Sequence, residues 1–335
     1  MVHLYGIGVS AGTPRPISEA IGVAHPDMDE DTAQWIADPA RQEAVKLLQE
    51  DGFREFVVSE QGVTDLARQA VQASLADSGV DPQSIDAVIF ITESFWDATG
   101  PQADGGYRHL DQRNQFLKLL SDFGLSRAFP FGNWMSACAN FGSSLMLARG
   151  LLRDGPYQRI MLVAGDRTPN SEPRLMQNGA SVYSDVASSC ILGAEPRGYR
   201  VEQAVSVAAP RVANVDWLDK KAVSQAVFES LKALKQLGRM FTNASGRQLG
   251  EFDSVIGGHF HKLSIHLILE ALGIPAERVR RDARSLYGHA YASDNLLTLL
   301  EIERKEGVTP GRELLLLNTG IWAWSLILLT RTESH

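Results

Sequence analysis

A weak internal repeat constrains this 335-residue chain more than any other feature of its sequence. Ile85-Asp86-Ala87-Val88-Ile89 matches Phe252-Asp253-Ser254-Val255-Ile256 in residue type and in the helical pattern after it. Further on, Arg159-Ile160-Met161-Leu162-Val163 corresponds to Glu313-Leu314-Leu315-Leu316-Leu317, and a second apolar strand comes after each. Strands and helices twice in the same order predict an α/β fold duplicated into two similar halves, with a boundary near residues 170–200. We place the halves at 1–175 and 176–335. Apolar residues make up 44% of the chain, ample for a large core, and the 21% of charged residues excludes wholesale disorder.

Periodicity locates the elements. A shared apolar face at Val63, Leu66, Ala67, Ala70, Val71 and Leu75 predicts a helix over Ser59 to Asp77, with Ser59 as cap and Gly79 as stop. A buried strand at Ala87 to Ile91, a helix at Asp111 to Asp122 and a short strand at Ala128 to Phe131 come next. Small and apolar residues from Cys138 to Arg153 predict a buried helix, then strands at Arg159 to Ala164 and Ser188 to Leu192. The second series has a helix at Asp219 to Leu237, capped by Asp219, and a strand at Phe252 to Gly257. Helices at His261 to Leu272 and Ala290 to Glu306 and strands at Glu313 to Leu317 and Ile321 to Leu329 complete it.

Several function classes are excluded early. Two cysteines, Cys138 and Cys190, are too few for a secreted disulfide scaffold. The net charge of −8 and the lack of a basic run with interleaved aromatics argue against nucleic acid. No signal peptide is read at Met1-Val2-His3-Leu4-Tyr5, and the last apolar runs are interrupted by Asn318-Thr319-Gly320 before either is long enough for a membrane. The expected setting is cytoplasmic, with no membrane partner.

Cys138 stands in Met135-Ser136-Ala137-Cys138-Ala139-Asn140, after a strand and turn and at the start of a small-residue helix. A thiol there gains from the positive helix end, which favours the thiolate, and small neighbours leave room for an acyl thioester. Cys190, inside an apolar strand, reads as a buried hydrophobe. Three histidines lie at strand–helix junctions: His259 and His261 in Gly258-His259-Phe260-His261-Lys262, and His289 in Gly288-His289-Ala290. Taken singly each reads as a structural group; placed jointly with Cys138 in a duplicated fold they read as a thiol–imidazole site.

On these segments the chain resembles the β-ketoacyl synthase III-like branch of the thiolase superfamily, over nearly its whole length. Gly52-Phe53-Arg54-Glu55 and the helix after it resemble the family's Gly-Ile-x-Glu-Arg segment, and Ser136-Ala137-Cys138 resembles its nucleophile motif. Asp166-Arg167 and Tyr183-Ser184-Asp185 resemble the segments beyond it. His259-Phe260-His261-Lys262-Leu263-Ser264-Ile265 is similar to His-Gln-Ala-Asn-x-Arg-Ile, Gly288-His289 takes the place of Gly-Asn, and Asn318-Thr319-Gly320 resembles the Gly-rich turn. The resemblance implies a five-layer α-β-α-β-α thiolase fold and a homodimer. It also implies a nucleophile at Cys138, a catalytic histidine at His259 and an oxyanion hole from the N–H groups of Cys138 and Gly320. It calls for no cofactor and no metal.

Departures from the family pattern carry the functional reading. His289 replaces the family's Asn, and Asp294 lies five residues on, a pattern similar to acyltransferase-like offshoots of secondary metabolism with a Cys-His-Asp triad. An Asp accepting from the imidazole would orient it and stabilise its charged form. The leading expectation is therefore transfer of an acyl group, from acyl-CoA or acyl carrier protein, through Cys138 to a small-molecule or carrier-bound acceptor, in polyketide- or fatty-acid-like metabolism. Decarboxylative condensation with a Cys-His-His set, Cys138 with His259 and His289, is the alternative. A silent partner subunit of a heterodimer is the third reading, and retention of all three residues argues against it. Trp35, His261 and Lys262 are candidate substrate contacts. Glu50-Asp51 stand where the family has Arg-Thr and would repel CoA phosphates, and Ser264 replaces an Arg. Lys220, Lys221, Lys232, Lys235 and Arg239 offer an acidic carrier a basic face, unless they are simply a solvated one.

Overall fold

A computed structural model describes residues 1–21, 38–97, 108–169, 172–176, 179–213, 215 and 219–333. Its first strands are β1 (His3–Ala11), β2 (Thr13–Pro16), β3 (Glu55–Val58), β4 (Ala87–Ile91), β5 (Phe129–Asn133), β6 (Arg159–Asp166) and β7 (Val186–Gly193). The later ones are β8 (Tyr199–Ala208), β9 (Val255–Ile256), β10 (Val279–Arg280), β11 (Glu313–Thr319) and β12 (Ala323–Arg331). The α-helices are α1 (Pro39–Glu50), α2 (Val63–Ser78), α3 (Arg108–Asp122), α4 (Asn140–Asp154), α5 (Lys220–Ser245), α6 (Lys262–Leu272), α7 (Arg284–Tyr287) and α8 (Asp294–Glu306).

Strand order reveals the duplication directly. The large sheet runs β10-β9-β11-β12-β8-β1-β7-β6-β4-β5, so the same five-strand pattern is read outward from its centre in both directions. In the first half β4 is parallel to β5 and β6, and β7 is antiparallel to both β6 and β1. The second half repeats this: β9 is parallel to β10 and β11, and β12 is antiparallel to both β11 and β8. The halves meet through the short antiparallel pairing of His3 with Arg200 and Leu4 with Tyr199. Because β7 pairs with β6 and β1, it belongs to the first half. The join therefore lies between Gly193 and Tyr199, later than the cut at 175/176 read from the sequence.

Alternation along the strands builds five layers. Ala87, Ile89 and Ile91 of β4 face a central core with Phe141 and Leu145 of α4, while Val88 and Phe90 face Leu66, Ala70 and Leu119 of α2 and α3. Leu314 and Leu316 of β11 face the same central core, which includes Leu296 and Leu299 of α8; Leu315 and Leu317 face Leu234, Leu237 and Leu269 of α5 and α6. The layers are α2/α3, sheet, α4/α8, sheet, α5/α6. Strands buried on both faces explain the unbroken apolar runs, each such side chain contributing ~1.5–3 kcal/mol.

Differences from the sequence reading have local causes. Helix α2 begins at Val63, because Ser59 gives its N–H to Asp185 and its hydroxyl to the Gln61 carbonyl. Asp219 does cap α5, accepting from the Lys221 N–H at 2.8 Å. That helix runs past Leu237 to Ser245, since Gly238 sits inside it without interrupting it. Strand β1 has no clear periodic signature because Gly6 and Gly8 break its pattern; at Gly8 a Cβ would lie 2.2 Å from the Ala70 carbonyl of α2. Among the described residues no helix is long and apolar enough to cross a membrane.

Candidate active site

Cys138 lies in a 3₁₀ turn, Ala137–Ala139, immediately before α4. Two non-glycine residues among those described have positive φ, and both frame this region: Ala137 at 48° and Tyr291 at 52°. Such conformations are tolerated where surrounding contacts impose them. Here the Asn140 Oδ1 accepts from the Ser136 N–H at 2.8 Å, closing the turn over the cysteine. Gly320 packs beneath it, where a Cβ would stand 2.7 Å from the Ser136 carbonyl.

His289 reaches this turn from the other half. Its Nε2 lies 3.2 Å from Cys138 Sγ, and its Nδ1–H donates to Asp294 Oδ2 at 2.7 Å. The backbone is fixed by the 182–184 segment, since the His289 N–H donates to the Val182 carbonyl and the Ser184 N–H to the His289 carbonyl. Gly288, at φ 55°, makes this approach feasible, because a Cβ would sit 2.6 Å from the Val182 carbonyl. Phe260, Tyr291 and Tyr183 surround the imidazole, with ring centroids at 4.5, 5.6 and 6.0 Å.

Asp294 is the first residue of α8, where the helix dipole favours its anion. Besides His289 it accepts from the N–H groups of Ala290 and His259, each at 2.7 Å. Burial opposes its ionisation, but the imidazoles of His259 and His289 and these donors outweigh it and hold the carboxyl below its usual range. Asp294 therefore faces the imidazole as a carboxylate.

His259 has a different environment from the one the resemblance implies. It is fully buried; its Nδ1–H donates to the Gly288 carbonyl at 2.6 Å, and its Nε2 accepts from the Thr298 hydroxyl at 2.8 Å. Burial lowers its basicity, which keeps the ring neutral. Both nitrogens being occupied, His259 supports Gly288 and Asp294 from behind. Gly320 also departs from expectation: its N–H donates to the Ala323 carbonyl at 2.8 Å and is not free for an oxyanion. The Cys138 N–H lies beside its own sulfur.

The thiol corrects a third expectation. Burial pushes the Cys138 thiol well up, and the nearby carboxyls of Glu93, Asp294 and Asp166 push it further, so the short turn does not yield a resting thiolate. The sulfur therefore rests as a thiol, 3.2 Å from the His289 Nε2.

His261 caps α6, its Nδ1 accepting from the Leu263 N–H at 3.3 Å. Lys262 is exposed at the same helix start and gives its N–H to Asp51. Asp51 is buried against Arg281 at 3.3 Å, so it projects no free charge toward a phosphate. Cys190 is buried in β7. Trp35 lies outside the described residues. Glu93, Asn140 and Thr298 were not singled out as site residues in the sequence; the available signal for Glu93 was a carboxylate directly beyond an all-apolar strand.

The duplicated five-layer architecture with a cysteine at the start of one central helix is the thiolase fold. No protein-family model matches the chain. A β-ketoacyl-[acyl-carrier-protein] synthase III of Cereibacter sphaeroides is 28% identical over 153 residues, 45% of this chain and 43% of that protein. The match thus spans less than half the length of that curated relative. Two solved structures align over nearly the full chain. The 3-oxoacyl-[acyl-carrier-protein] synthase III of Aquifex aeolicus VF5 has TM-score 0.73 and 16% identity, covering 98% of this chain and 100% of its own. ChlB3, described as an acyltransferase, has TM-score 0.76 and 18% identity, covering 99% and 98%. The chain has the thiolase fold and is similar, over part of its length, to β-ketoacyl synthase III proteins.

Proposed function

We propose that the protein is an acyltransferase that works through an acyl-enzyme on Cys138. The observation that carries this reading is the line Cys138 Sγ to His289 Nε2 to Asp294 Oδ2, at 3.2 and 2.7 Å. His289 takes the thiol proton as Cys138 attacks a donor thioester, and returns it to the leaving thiol. It then takes the proton of an acceptor hydroxyl, amine or thiol that attacks the acyl-enzyme. Asp294 fixes the tautomer and stabilises the imidazolium in both steps. Because the thiol rests neutral, a base is required at each turnover.

The environment of His259 weighs against the alternative, decarboxylative condensation. That reaction needs two donors on the enolate oxygen, and His259 already has both nitrogens engaged. For the donor, an acyl carrier protein is favoured by α5, where Lys220, Lys221, Lys232, Lys235 and Arg239 are exposed and Glu229 is the sole acid. A homodimer is supported by the exposed edge strand β5, with Phe129 56% and the adjacent Met135 72% exposed. Incubation with acyl-CoA and acyl-carrier donors, then intact-mass measurement, tests the reading. An acyl adduct absent from Cys138→Ala is the expected result, and no adduct with any donor would overturn it.

A further inference from the structure

The proposed mechanism leaves one ionisable group beside the sulfur without a task. Glu93 comes just after β4, and of the charges that act on the Cys138 thiol its own acts most strongly, ahead of Asp294 and Asp166. The side chain is half-buried, and among the described residues the Asn140 amide donates to it at a long 3.4 Å. Asp166, next to it at the end of β6, is far better satisfied. One of its oxygens accepts from the Glu93 N–H at 2.7 Å, the Ser94 hydroxyl at 3.1 Å and the Thr92 hydroxyl at 3.2 Å.

Two neighbouring carboxyls largely withdrawn from water do not both ionise at neutral pH, and the proton goes to the one with fewer donors. Burial and then Asp166 push Glu93 up to about 8, and burial pushes Asp166 up to about 7. Among the described residues, the other ionisable groups around this corner do not supply a compensating cation. Arg167 is paired with Asp97 at 2.8 Å, Asp294 with His289, and Tyr183 is itself raised by burial, Cys138 and Glu93. Glu93 thus has an O–H to donate and a weak internal partner. A polar group that a bound ligand would seal from water rejects ligands that leave it unpaired far more strongly than it rejects a change of size.

We propose that Glu93 is a specificity-determining residue of the Cys138 site, donating as a carboxylic acid to an oxygen on the acyl chain beyond the thioester carbonyl. The substrate class is then oxygenated acyl groups, hydroxyacyl or ketoacyl, in preference to plain alkyl ones. This rests on the acyl-transfer reading.

Two measurements separate the assignment from that reading. The first compares acyl-enzyme formation from 3-hydroxybutyryl and butyryl thioesters of N-acetylcysteamine. Wild type should favour the hydroxyacyl donor by about tenfold, Glu93→Gln should retain the preference, and Glu93→Leu should lose it. An equal preference in wild type and Glu93→Leu overturns the proposal. The second tracks iodoacetamide alkylation of Cys138 against pH and needs no substrate. Replacing the group that ionises near pH 8 with Gln should shift the profile down by about one pH unit. An unchanged profile removes Glu93 from the site. If neither thioester acylates Cys138 while the profile does shift, the transfer reading falls and the place of Glu93 at the sulfur stands.

Discussion

The turn that carries Cys138 and the turn just beyond His289 are the same local device, built once in each half. Each is a 3₁₀ turn, Ala137–Ala139 and Tyr291–Ser293, whose first residue has a positive φ. Each leads into a central helix whose first residue, Asn140 or Asp294, accepts the N–H four positions back, from Ser136 at 2.8 Å or Ala290 at 2.7 Å. Of their four side-chain differences, two bear on the sulfur and the imidazole. The first turn carries a thiol where the second has Ala292, and the first helix opens with a neutral amide where the second opens with a carboxylate. The backbone device is therefore generic, and in the proposed mechanism the side chain at the helix start suits one half to the thiol and the other to the imidazole. An anion at position 140 would burden a thiol already raised by Glu93, whereas at position 294 it faces two imidazoles.

The sharpest way to break this comparison is to exchange the two helix-start residues. Asp294→Asn keeps an acceptor for the Ala290 N–H but removes the charge behind His289. Transfer from the acyl-enzyme should fall by about two orders of magnitude or more, the scale of losing a general base, and His289→Ala should match it. Discharge rates by intact mass measure both. Asn140→Asp, the opposite exchange, should slow alkylation of Cys138 at pH 8 by about tenfold, as one more nearby anion would; an unchanged rate would show the amide is not chosen for charge.

Smaller effects sharpen it. His259→Ala should lower transfer by less than about tenfold while reducing stability by ~2–4 kcal/mol, because it empties a buried site and orphans Thr298 and Gly288. Denaturant melts alongside discharge rates separate the two. The pH dependence of folding should also differ between the halves. Asp294 titrates below its usual range in the fold, so its contribution is present above about pH 4 and lost as pH falls through the lowered value. Glu93 and Asp166 are raised, so theirs is present below about pH 4 and lost as pH rises towards about 8 and about 7. Glu93→Gln should flatten the alkaline side of a stability–pH curve, and Asp294→Asn the acid side.

Much of this was legible in the sequence. Repeated strand order pointed to the duplication, because strands buried on both faces leave unbroken apolar runs that stand out from helices. Cys138, His289 and Asp294 were legible from type and position at strand–helix junctions. What failed were details that depend on the far ends of hydrogen bonds. Nothing in the residues around His259 indicates that Thr298, on a helix beyond it, would occupy its Nε2. Likewise the Gly320 N–H is taken by Ala323 across a turn whose closure depends on the pairing of β11 with β12. The helix-end argument for a thiolate failed because carboxyls from β6, from α8 and from the segment after β4 converge on the sulfur only in three dimensions.

The most direct test of the account offers the protein an acyl thioester and a malonyl thioester in parallel, measuring acyl-enzyme discharge in one and carbon dioxide in the other. The account predicts an adduct on Cys138 whose discharge to an acceptor nucleophile is slowed by about a hundredfold in both His289→Ala and Asp294→Asn, with no carbon dioxide released. Carbon dioxide release that is lost in His259→Ala and His289→Ala, yet unaffected by Asp294→Asn, would contradict it.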